Sequence, residues 1–423
     1  MQTNLAPEFL GTSDGEAAKA ILGKCVHCGF CTATCPTYQL LGDELDGPRG
    51  RIYLIKQVLE GETPTRKTQQ HLDRCLTCRN CESTCPSGVQ YGNLVDIGRK
   101  MVDSKVERPL TERLMRGALK HGLNSSLFAP AMAVGQMVRG LLPSSLKNKI
   151  PAKQKTRAMP ARTHARKIIM LAGCVQPAML PNINVATARV LDAAGIQTLV
   201  LPTSVCCGAI KFHLNDQEAA KVQMRANIDA WWPAIEGAHG AAGAEHIVMN
   251  ASGCGVMVKD YGHVLADDAT YAAKAKRVSE LAVDLGELLP SMLPSLMEQG
   301  LHKSQLKTTL PKIAYHPPCT LQHGQQLKGG VETHLRELGF DVQVSALESH
   351  VCCGSAGTYS VLQPEIAYTL RDRKLAALPQ TADVIASSNV GCITHLQSGS
   401  SVSVRHWIEI LDDALSNSNG ETP

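Results

Sequence analysis

The residues of this 423-residue chain that are best suited to chemistry are its 16 cysteines. Eight of them form two copies of one motif, C-x2-C-x2-C-x3-C-P, displaced by 50 residues at every position. The copies comprise Cys25, Cys28, Cys31, Cys35 and Pro36, and Cys75, Cys78, Cys81, Cys85 and Pro86. This spacing is typical of thiolates around a 4Fe-4S cluster, because so short a loop can turn about the cluster with its backbone N–H groups toward the sulfurs. The sequence therefore predicts two 4Fe-4S clusters.

The ligands of the two clusters are predicted to cross between the motifs. In two-cluster ferredoxins the fourth cysteine of each motif binds the cluster of the other motif. By this rule Cys25, Cys28, Cys31 and Cys85 hold the first cluster, and Cys75, Cys78, Cys81 and Cys35 hold the second. Zinc sites or disulfides are the alternative, but zinc motifs usually pair two cysteine knuckles, whereas each motif here has three knuckles and a trailing Cys-Pro.

The other eight cysteines form a second pair of repeats. Each repeat contains Cys-Cys-Gly with one cysteine before it and one after, and matching cysteines lie 138 to 146 residues apart. The first repeat has Cys174, Cys206, Cys207 and Cys254, and the second has Cys319, Cys352, Cys353 and Cys392. Two interpretations stay open: the thiols bind a cofactor, such as a further iron–sulfur centre, or the Cys-Cys-Gly sequences are structural turns with buried thiols. His316 and His350 lie near the second repeat, although an isolated histidine is more often a packed residue than a ligand.

The elements that carry these later cysteines alternate between strand and helix. Short apolar runs at 167–171, 197–201 and 246–250 surround a helical pattern at 185–194, and the second repeat has runs at 312–315, 342–345 and 383–386 around a helix at 331–338. This alternation predicts βαβ units with parallel sheets. The cysteines follow the strand ends, where the loops of an open α/β sheet gather ligands. We therefore predict two α/β lobes, each with its four thiols in one region.

The charge is distributed unevenly along the chain. The formal net charge is +4, but residues 99–167 alone hold 16 Lys and Arg against three acidic residues. Basic residues also flank the motifs at Lys24, His27, Arg74 and Arg79, either as ordinary surface charge or as charge that favours a reduced cluster. We predict an α+β multidomain chain: a helical two-cluster ferredoxin-like domain at 1–98, a basic helical connector at 99–166, and cysteine-rich lobes at 167–300 and 301–423.

Targeting signals and membrane spans are not evident. The first 20 residues lack a basic segment followed by an apolar one, and the apolar stretch 127–142 is too short to span a bilayer. We therefore expect a cytoplasmic protein with reduced thiols. The segments 110–119 and 127–142 combine Lys or Arg with a Leu/Met face, which favours either peripheral contact with the inner face of the cell membrane or ordinary helix packing.

Other functional classes are weakly supported. A redox-sensing nucleic-acid binder is suggested by the basic connector, but the connector has one aromatic residue, Phe128, and no recognition motif. We therefore expect no nucleic-acid partner. No G-x-G-x-x-G follows a strand and there is no phosphate loop, so no nucleotide cofactor site is evident. Because clusters accept single electrons, a flavin-bearing partner is the expected neighbour for a two-electron oxidation.

Two further stretches carry a family resemblance. With Gly-Pro-Arg-Gly-Arg at 47–51 and the second cysteine motif at 71–82, the N-terminal third resembles the iron–sulfur subunits of bacterial glycolate oxidase. The Cys-Cys-Gly lobes resemble the cysteine-rich (CCG) domains shared with heterodisulfide reductase, anaerobic glycerol-3-phosphate dehydrogenase and lactate-utilisation subunits. The resemblance implies an electron-transfer subunit that is not catalytic alone: flavin-containing partners, with FAD, oxidise glycolate to glyoxylate, and this chain passes electrons toward a membrane acceptor. The equivalent subunit of a glycerol-3-phosphate or lactate dehydrogenase is the alternative.

The lobes depart from the heterodisulfide reductase pattern in one respect. That pattern ends in C-x-x-C and implies noncubane clusters held by five thiolates, whereas Met257 and His395 stand at the last position here. Each lobe is therefore one thiolate short. His395 is chemically able to act as a ligand, and the thioether of Met257 would be a weak one.

Overall fold

The N-terminal region of the chain is built from helices. The computed structural model describes residues 1–143, 147, 149–237, 243–301 and 310–418. The helices up to the first sheet are Ser13–Gly23, Phe30–Ala33, Pro36–Leu41, Pro48–Leu59, Arg66–Asp73, Asn80–Ser83, Tyr91–Lys105, Leu110–Gly122 and Phe128–Met137, with 3-10 turns at Glu44–Asp46 and Arg139–Leu141. In the described part of the chain, no helix is long and apolar enough to cross a membrane.

Two long helices, Pro48–Leu59 and Tyr91–Lys105, form the centre of this N-terminal region. Apolar residues at helical spacing, such as Ile55 and Leu94, are completely buried in the core they share. The helices approach closely at Gly98, where a Cβ would lie 2.5 Å from Cγ1 of Ile55. The short helices that carry the cysteines pack around this pair.

Two parallel sheets follow, and they have the same topology. The first sheet has the order β2-β1-β3-β4 and the second has the order β6-β5-β7-β8, with every neighbouring pair parallel. The strands are β1 Arg166–Met170, β2 Ile196–Leu199, β3 His246–Met249, β4 Ala282–Asp284, β5 Ile313–His316, β6 Val342–Val344, β7 Val384–Ser387 and β8 Val404–His406. The predicted fold class, a helical region followed by two α/β lobes, is confirmed.

Helices connect the strands and cover the sheets. In the first lobe they are Gln176–Met179, Asn182–Ala193, Ala209–His213, Gln217–Glu236, Ser252–Lys259, Tyr261–Val264, Ala272–Leu281 and Leu285–Glu298. In the second lobe they are Gly330–Glu337, Tyr359–Leu362, Pro364–Ala377, Val390–Gln397 and Trp407–Ser418, with a π-helical turn at Thr320–Gly324. The last helix crosses back to the first lobe, where Arg189 Nε donates to Asp412 at 2.9 Å. One apolar core runs through both lobes as a result.

Six strands match the sequence expectation to within two residues. The helix Gly330–Glu337 matches to within one residue, and Asn182–Ala193 begins three residues before the predicted start. The strands β4 and β8 are not among the predicted strands, because each has three residues and runs directly into a helix with no turn between them. The predicted domain limits stay a prediction, and the predicted connector includes residues 144–146 and 148, which lie outside the described residues.

The contact at Gly98 can be tested by Gly98→Ala. The new Cβ would lie 2.5 Å from Cγ1 and 2.7 Å from Cδ1 of the fully buried Ile55. Because overpacking of a filled core typically costs about 1–3 kcal/mol, we expect a lower midpoint of thermal unfolding for the anaerobic chain, followed by circular dichroism.

Gly117→Ala is the matched control for this substitution. Gly117 lies within Leu110–Gly122, and a Cβ there would meet nothing within 4 Å. Alanine has the higher helix propensity, so we expect an equal or higher midpoint. Equal midpoints for the two variants would contradict the close helix contact.

Candidate metal centres

Two cavities in the N-terminal region are lined by the cysteines of the repeated motif. Cys25, Cys28, Cys31 and Cys85 line the first cavity. Cys35, Cys75, Cys78 and Cys81 line the second, and Cys81 also lies on the wall of the first. The structure thus groups the fourth cysteine of each motif with the first three of the other motif. Metal ligation by these two sets stays a prediction.

The loops between the cysteines repeat an unusual backbone conformation. His27 and Gly29 have positive φ angles of 54° and 85°, and the matching residues Thr77 and Arg79 have 52° and 59°. Left-handed residues that alternate with ordinary ones turn successive N–H groups to one side of the loop, which forms the concave anion sites used by iron–sulfur clusters. Thr77 N already donates to Cys75 Sγ at 3.4 Å. The loops therefore fit the group that the motif predicts.

Burial disfavours the thiolate form of three cavity cysteines. Burial, followed by the charge of Cys25, raises the pKa of Cys31 to about 11. Burial also raises the pKa values of Cys78 and Cys81 well above the usual range. Since the thiolate is the form that binds a metal, these residues need a cation among them to lose their protons.

Two buried arginines supply positive charge beside the second cavity. Arg51 lies on its wall, and its Nε donates to the carbonyl of His71 at 2.7 Å. Arg99 donates to the carbonyl of Cys75 at 2.6 Å and to Thr77 Oγ1 at 2.8 Å. These contacts hold the second cysteine loop in place and favour a reduced cluster electrostatically.

The sequence pattern did not identify Arg51 and Arg99 as residues near a cluster. A signal was present, since Arg51 precedes Ile52 and Ile55 on one helix face and Arg99 lies between Val95 and Val102 on another. The basic residues that were singled out have different surroundings: Arg74 pairs with Asp46 at 2.8 Å and Arg79 pairs with Glu82 at 2.7 Å.

In the lobes, all eight cysteines follow the carboxyl ends of parallel strands, as expected. The Cys-Cys-Gly sequences follow β2 and β6, and their glycines have φ angles of 96° at Gly208 and 90° at Gly354. A Cβ at Gly354 would also lie 2.4 Å from the carbonyl oxygen of Ala367. The conformation and the close approach both require glycine, so the turn fixes the direction of the two preceding thiols.

The thiols of the first lobe lie close enough to shift one another's pKa values. The charges of Cys206 and Cys254 both act on Cys174 and on Cys207. Cys206 accepts from Cys174 and Cys207, and these bonds lower its pKa well below the usual range. The first lobe thus stabilises one thiolate with its own donors.

The second lobe joins its thiols in the same order but adds a histidine. Cys319 Sγ donates to Cys352 Sγ at 3.6 Å, and the sulfurs of Cys353 and Cys392 lie within 4.8 Å of each other. A ring nitrogen of His316 and the sulfurs of Cys353 and Cys392 all lie within 4.8 Å of one another.

The two residues at the missing fifth position have different surroundings. His395 Nε2 is hydrogen-bonded to the carbonyl of Ala367 at 3.1 Å, and its ring stacks on Tyr368. Met257 is buried in the apolar core of the first lobe. His350, the other histidine that the sequence singled out, uses its carbonyl to accept from His323 Nε2 at 2.9 Å.

The thiols of the second lobe lie directly against the second N-terminal cavity. Cys319 and Cys352 share a small apolar core with Leu76, and Cys78 packs against it. Three hydrogen bonds cross this interface: Tyr359 Oη to Arg74 O at 2.8 Å, Asn80 Nδ2 to His350 O at 3.2 Å, and Ser83 Oγ with His323 Nδ1 at 2.8 Å. The second lobe therefore covers the inner side of the cysteine loops.

Family models match the three regions separately. Residues 21–89 match the 4Fe-4S dicluster domain, which confirms the expected cofactor type, two 4Fe-4S clusters, for the N-terminal region. Residues 168–259 and 313–397 each match the cysteine-rich domain, with one copy for each sheet.

Relatives match the chain along most of its length. The glycolate oxidase iron-sulfur subunit of Escherichia coli (strain K12) is 54% identical over 98% of this chain and 99% of its own length. A probable glycolate oxidase iron-sulfur subunit of Bacillus subtilis (strain 168) is 28% identical over 89% of this chain and 88% of its own. Lactate utilization protein A of Bacillus licheniformis is 25% identical over 58% of this chain and 99% of its own. With this identity, coverage and domain order, the chain belongs to the family of glycolate oxidase iron–sulfur subunits.

Proposed function

We propose that this chain is the electron-transfer subunit of a flavin-dependent glycolate dehydrogenase complex. Partner subunits that carry FAD oxidise glycolate to glyoxylate, and the two electrons leave through this chain toward a membrane acceptor. The observation that carries the proposal is the pair of adjoining cysteine-lined cavities in a chain 54% identical to a glycolate oxidase iron-sulfur subunit. When bound, 4Fe-4S clusters take up and release one electron at a time, as is needed after a two-electron oxidation by a flavin.

The protein groups around the cavities have separate tasks in this proposal. Cys25, Cys28, Cys31 and Cys85 hold the first cluster, and Cys75, Cys78, Cys81 and Cys35 hold the second. Arg51 and Arg99 offset the negative charge that builds up near the second set. Tyr91 lines both cavities and keeps water from the space between them.

The flavin-containing partner is proposed to bind at the first cavity. Cys28 is exposed there, and two apolar side chains on the same rim, Val26 and Phe30, are 68% and 60% exposed. The second cavity is covered by the second lobe, so the first offers the shorter path from a partner. Exposed apolar side chains beside the entry point are suited to a protein interface.

Peripheral contact with the inner face of the cell membrane is proposed for the connector. Its helices Leu110–Gly122 and Phe128–Met137 contain no buried residue, and Leu114, Leu127 and Met137 are strongly exposed. Such exposed apolar helix faces suit the interfacial region of a membrane. Sixteen cysteines, eight of them at iron–sulfur spacing, fit a reducing cytoplasm.

A nucleic-acid partner gains no support, because much of the basic charge of the connector is used internally. Arg108 and Arg116 both pair with Asp73, at 2.6 and 2.9 Å, and Lys120 pairs with Asp216 at 2.8 Å. Charge that is already paired contributes little to phosphate binding.

Crossed ligation predicts which double substitutions affect the same cluster. We expect the anaerobic chain to contain about eight iron atoms, and Cys35→Ser and Cys78→Ser each to leave about four. Because both residues belong to the second set, the double variant should also leave about four. Cys35→Ser combined with Cys28→Ser should leave almost none. Iron analysis of the purified variants gives the counts, and retention of iron by the second pair but not the first would contradict the crossing.

If the flavin-containing partner binds at the first cavity, negative charge on the rim of that cavity should weaken binding. Val26→Asp and Phe30→Asp place carboxylates where an apolar contact is expected, so we expect at least tenfold weaker binding to the flavin-containing subunits, measured by biolayer interferometry. Leu347→Asp is the matched control, because Leu347 is 85% exposed on the second lobe. Iron content should stay the same in all three variants. Unchanged binding for both rim variants would place the partner elsewhere.

A further inference from the structure

The inner end of β5 carries a buried histidine without a hydrogen-bond partner. His316 is completely buried, and neither Nδ1 nor Nε2 has a partner in the structure. A buried polar group that makes no hydrogen bond costs about 1–3 kcal/mol. Two such nitrogens on one ring therefore indicate that something else in the mature protein satisfies at least one of them.

Two cysteines face this ring. A nitrogen of His316 and the sulfurs of Cys353 and Cys392 lie within 4.8 Å of one another, and all three residues are buried. In a tetrahedral zinc site, metal–ligand distances of about 2.0–2.3 Å place the ligand atoms roughly 3.5–3.8 Å apart. Small side-chain adjustments would bring this group to that geometry.

We propose that His316, Cys353 and Cys392 bind one Zn²⁺ ion in the second lobe. Imidazole and thiolate are the ligands that zinc prefers, and three protein ligands leave a fourth position for water. Two thiolates neutralise the ion, so the site adds no net charge to the interior, where an unbalanced charge is costly. The proposal is independent of the glycolate substrate.

The spacing of the ligands favours a single ion over a further cluster. Among the described residues, none of the N-terminal motif cysteines belongs to a trio with ligand atoms within 4.8 Å, as expected for thiols spread around a larger body. In the second lobe, by contrast, the ligand atoms of His316, Cys353 and Cys392 all lie within 4.8 Å of one another. One other trio, Asp43, Asp46 and His71, already has cations, since Asp46 is bonded to Arg74 at 2.8 Å.

A neighbouring side chain orients one sulfur of the trio. Asn389 Nδ2 donates to Cys392 Sγ at 3.6 Å.

Among the described residues, the first lobe has no matching trio of ligand atoms. Leu171 stands where the second lobe has His316. We therefore assign the zinc to the second lobe only. Since Zn²⁺ has no redox chemistry, its role there is to fix Cys353 and the neighbouring Cys352, which lies against the loop of the second cluster.

Metal analysis of the full anaerobic chain tests the assignment. We expect about one zinc atom beside about eight iron atoms. His316→Ala and Cys392→Ser should each lower the zinc content at least tenfold and leave the iron content unchanged, which also reports that the chain has folded. His316→Cys, which restores a zinc ligand, should retain the metal. His350→Ala is the matched control and should keep both metals, because its side chain is not in the trio.

Three results would overturn the zinc site. The first is a wild-type chain with about eight iron atoms and no zinc. The second is about twelve iron atoms with four lost on Cys392→Ser, which would indicate a third cluster. The third is zinc that His316→Ala leaves in place. Cobalt substitution adds a spectroscopic test, since thiolate-to-cobalt absorption should appear in the wild type and be lost in Cys392→Ser.

Discussion

A thiolate inside a protein needs positive charge or hydrogen-bond donors close to it. The three cysteine-containing regions of this chain meet that requirement in different ways. Burial, followed by the charges of neighbouring cysteines, raises the pKa values of Cys78 and Cys81, so a bound cation is needed to hold them as thiolates. In the N-terminal region the iron of the clusters supplies that charge, and Arg51 and Arg99 add to it. The first lobe uses neighbouring thiols as donors, and the second is proposed to use a metal ion.

The fold meets this requirement with backbone turns that are repeated in both copies of each cysteine motif. Matching left-handed residues in the two motifs turn N–H groups toward the cavities. In the lobes, parallel strands deliver the cysteines to one edge of each sheet, and a glycine in the left-handed region follows each cysteine pair. The shared core and the crossing last helix hold the two lobes together, so that the second lobe can cover the cysteine loops.

Sequence predicted the parts of this arrangement that repeat. The motif spacing gave the cluster type, and the strand–helix alternation gave both sheets except β4 and β8, which are short and run directly into helices. Sequence could not predict that Cys78 would face the thiols of the second lobe, because 241 residues separate Cys78 from Cys319. It also left His316 as one histidine among several, since only the folded chain shows that its ring is buried beside Cys353 and Cys392. The same holds for Arg51 and Arg99, whose burial depends on tertiary packing.

The central claim is that electrons enter this chain from a flavin rather than from substrate. Anaerobic stopped-flow absorbance of the assembled complex mixed with glycolate tests it most directly, with flavin and cluster bleaching followed at separate wavelengths. The account predicts that flavin bleaches first, that cluster bleaching follows, and that the isolated chain shows no bleaching with glycolate. Cluster bleaching by glycolate in the isolated chain would contradict the account and would place a substrate site in the chain itself.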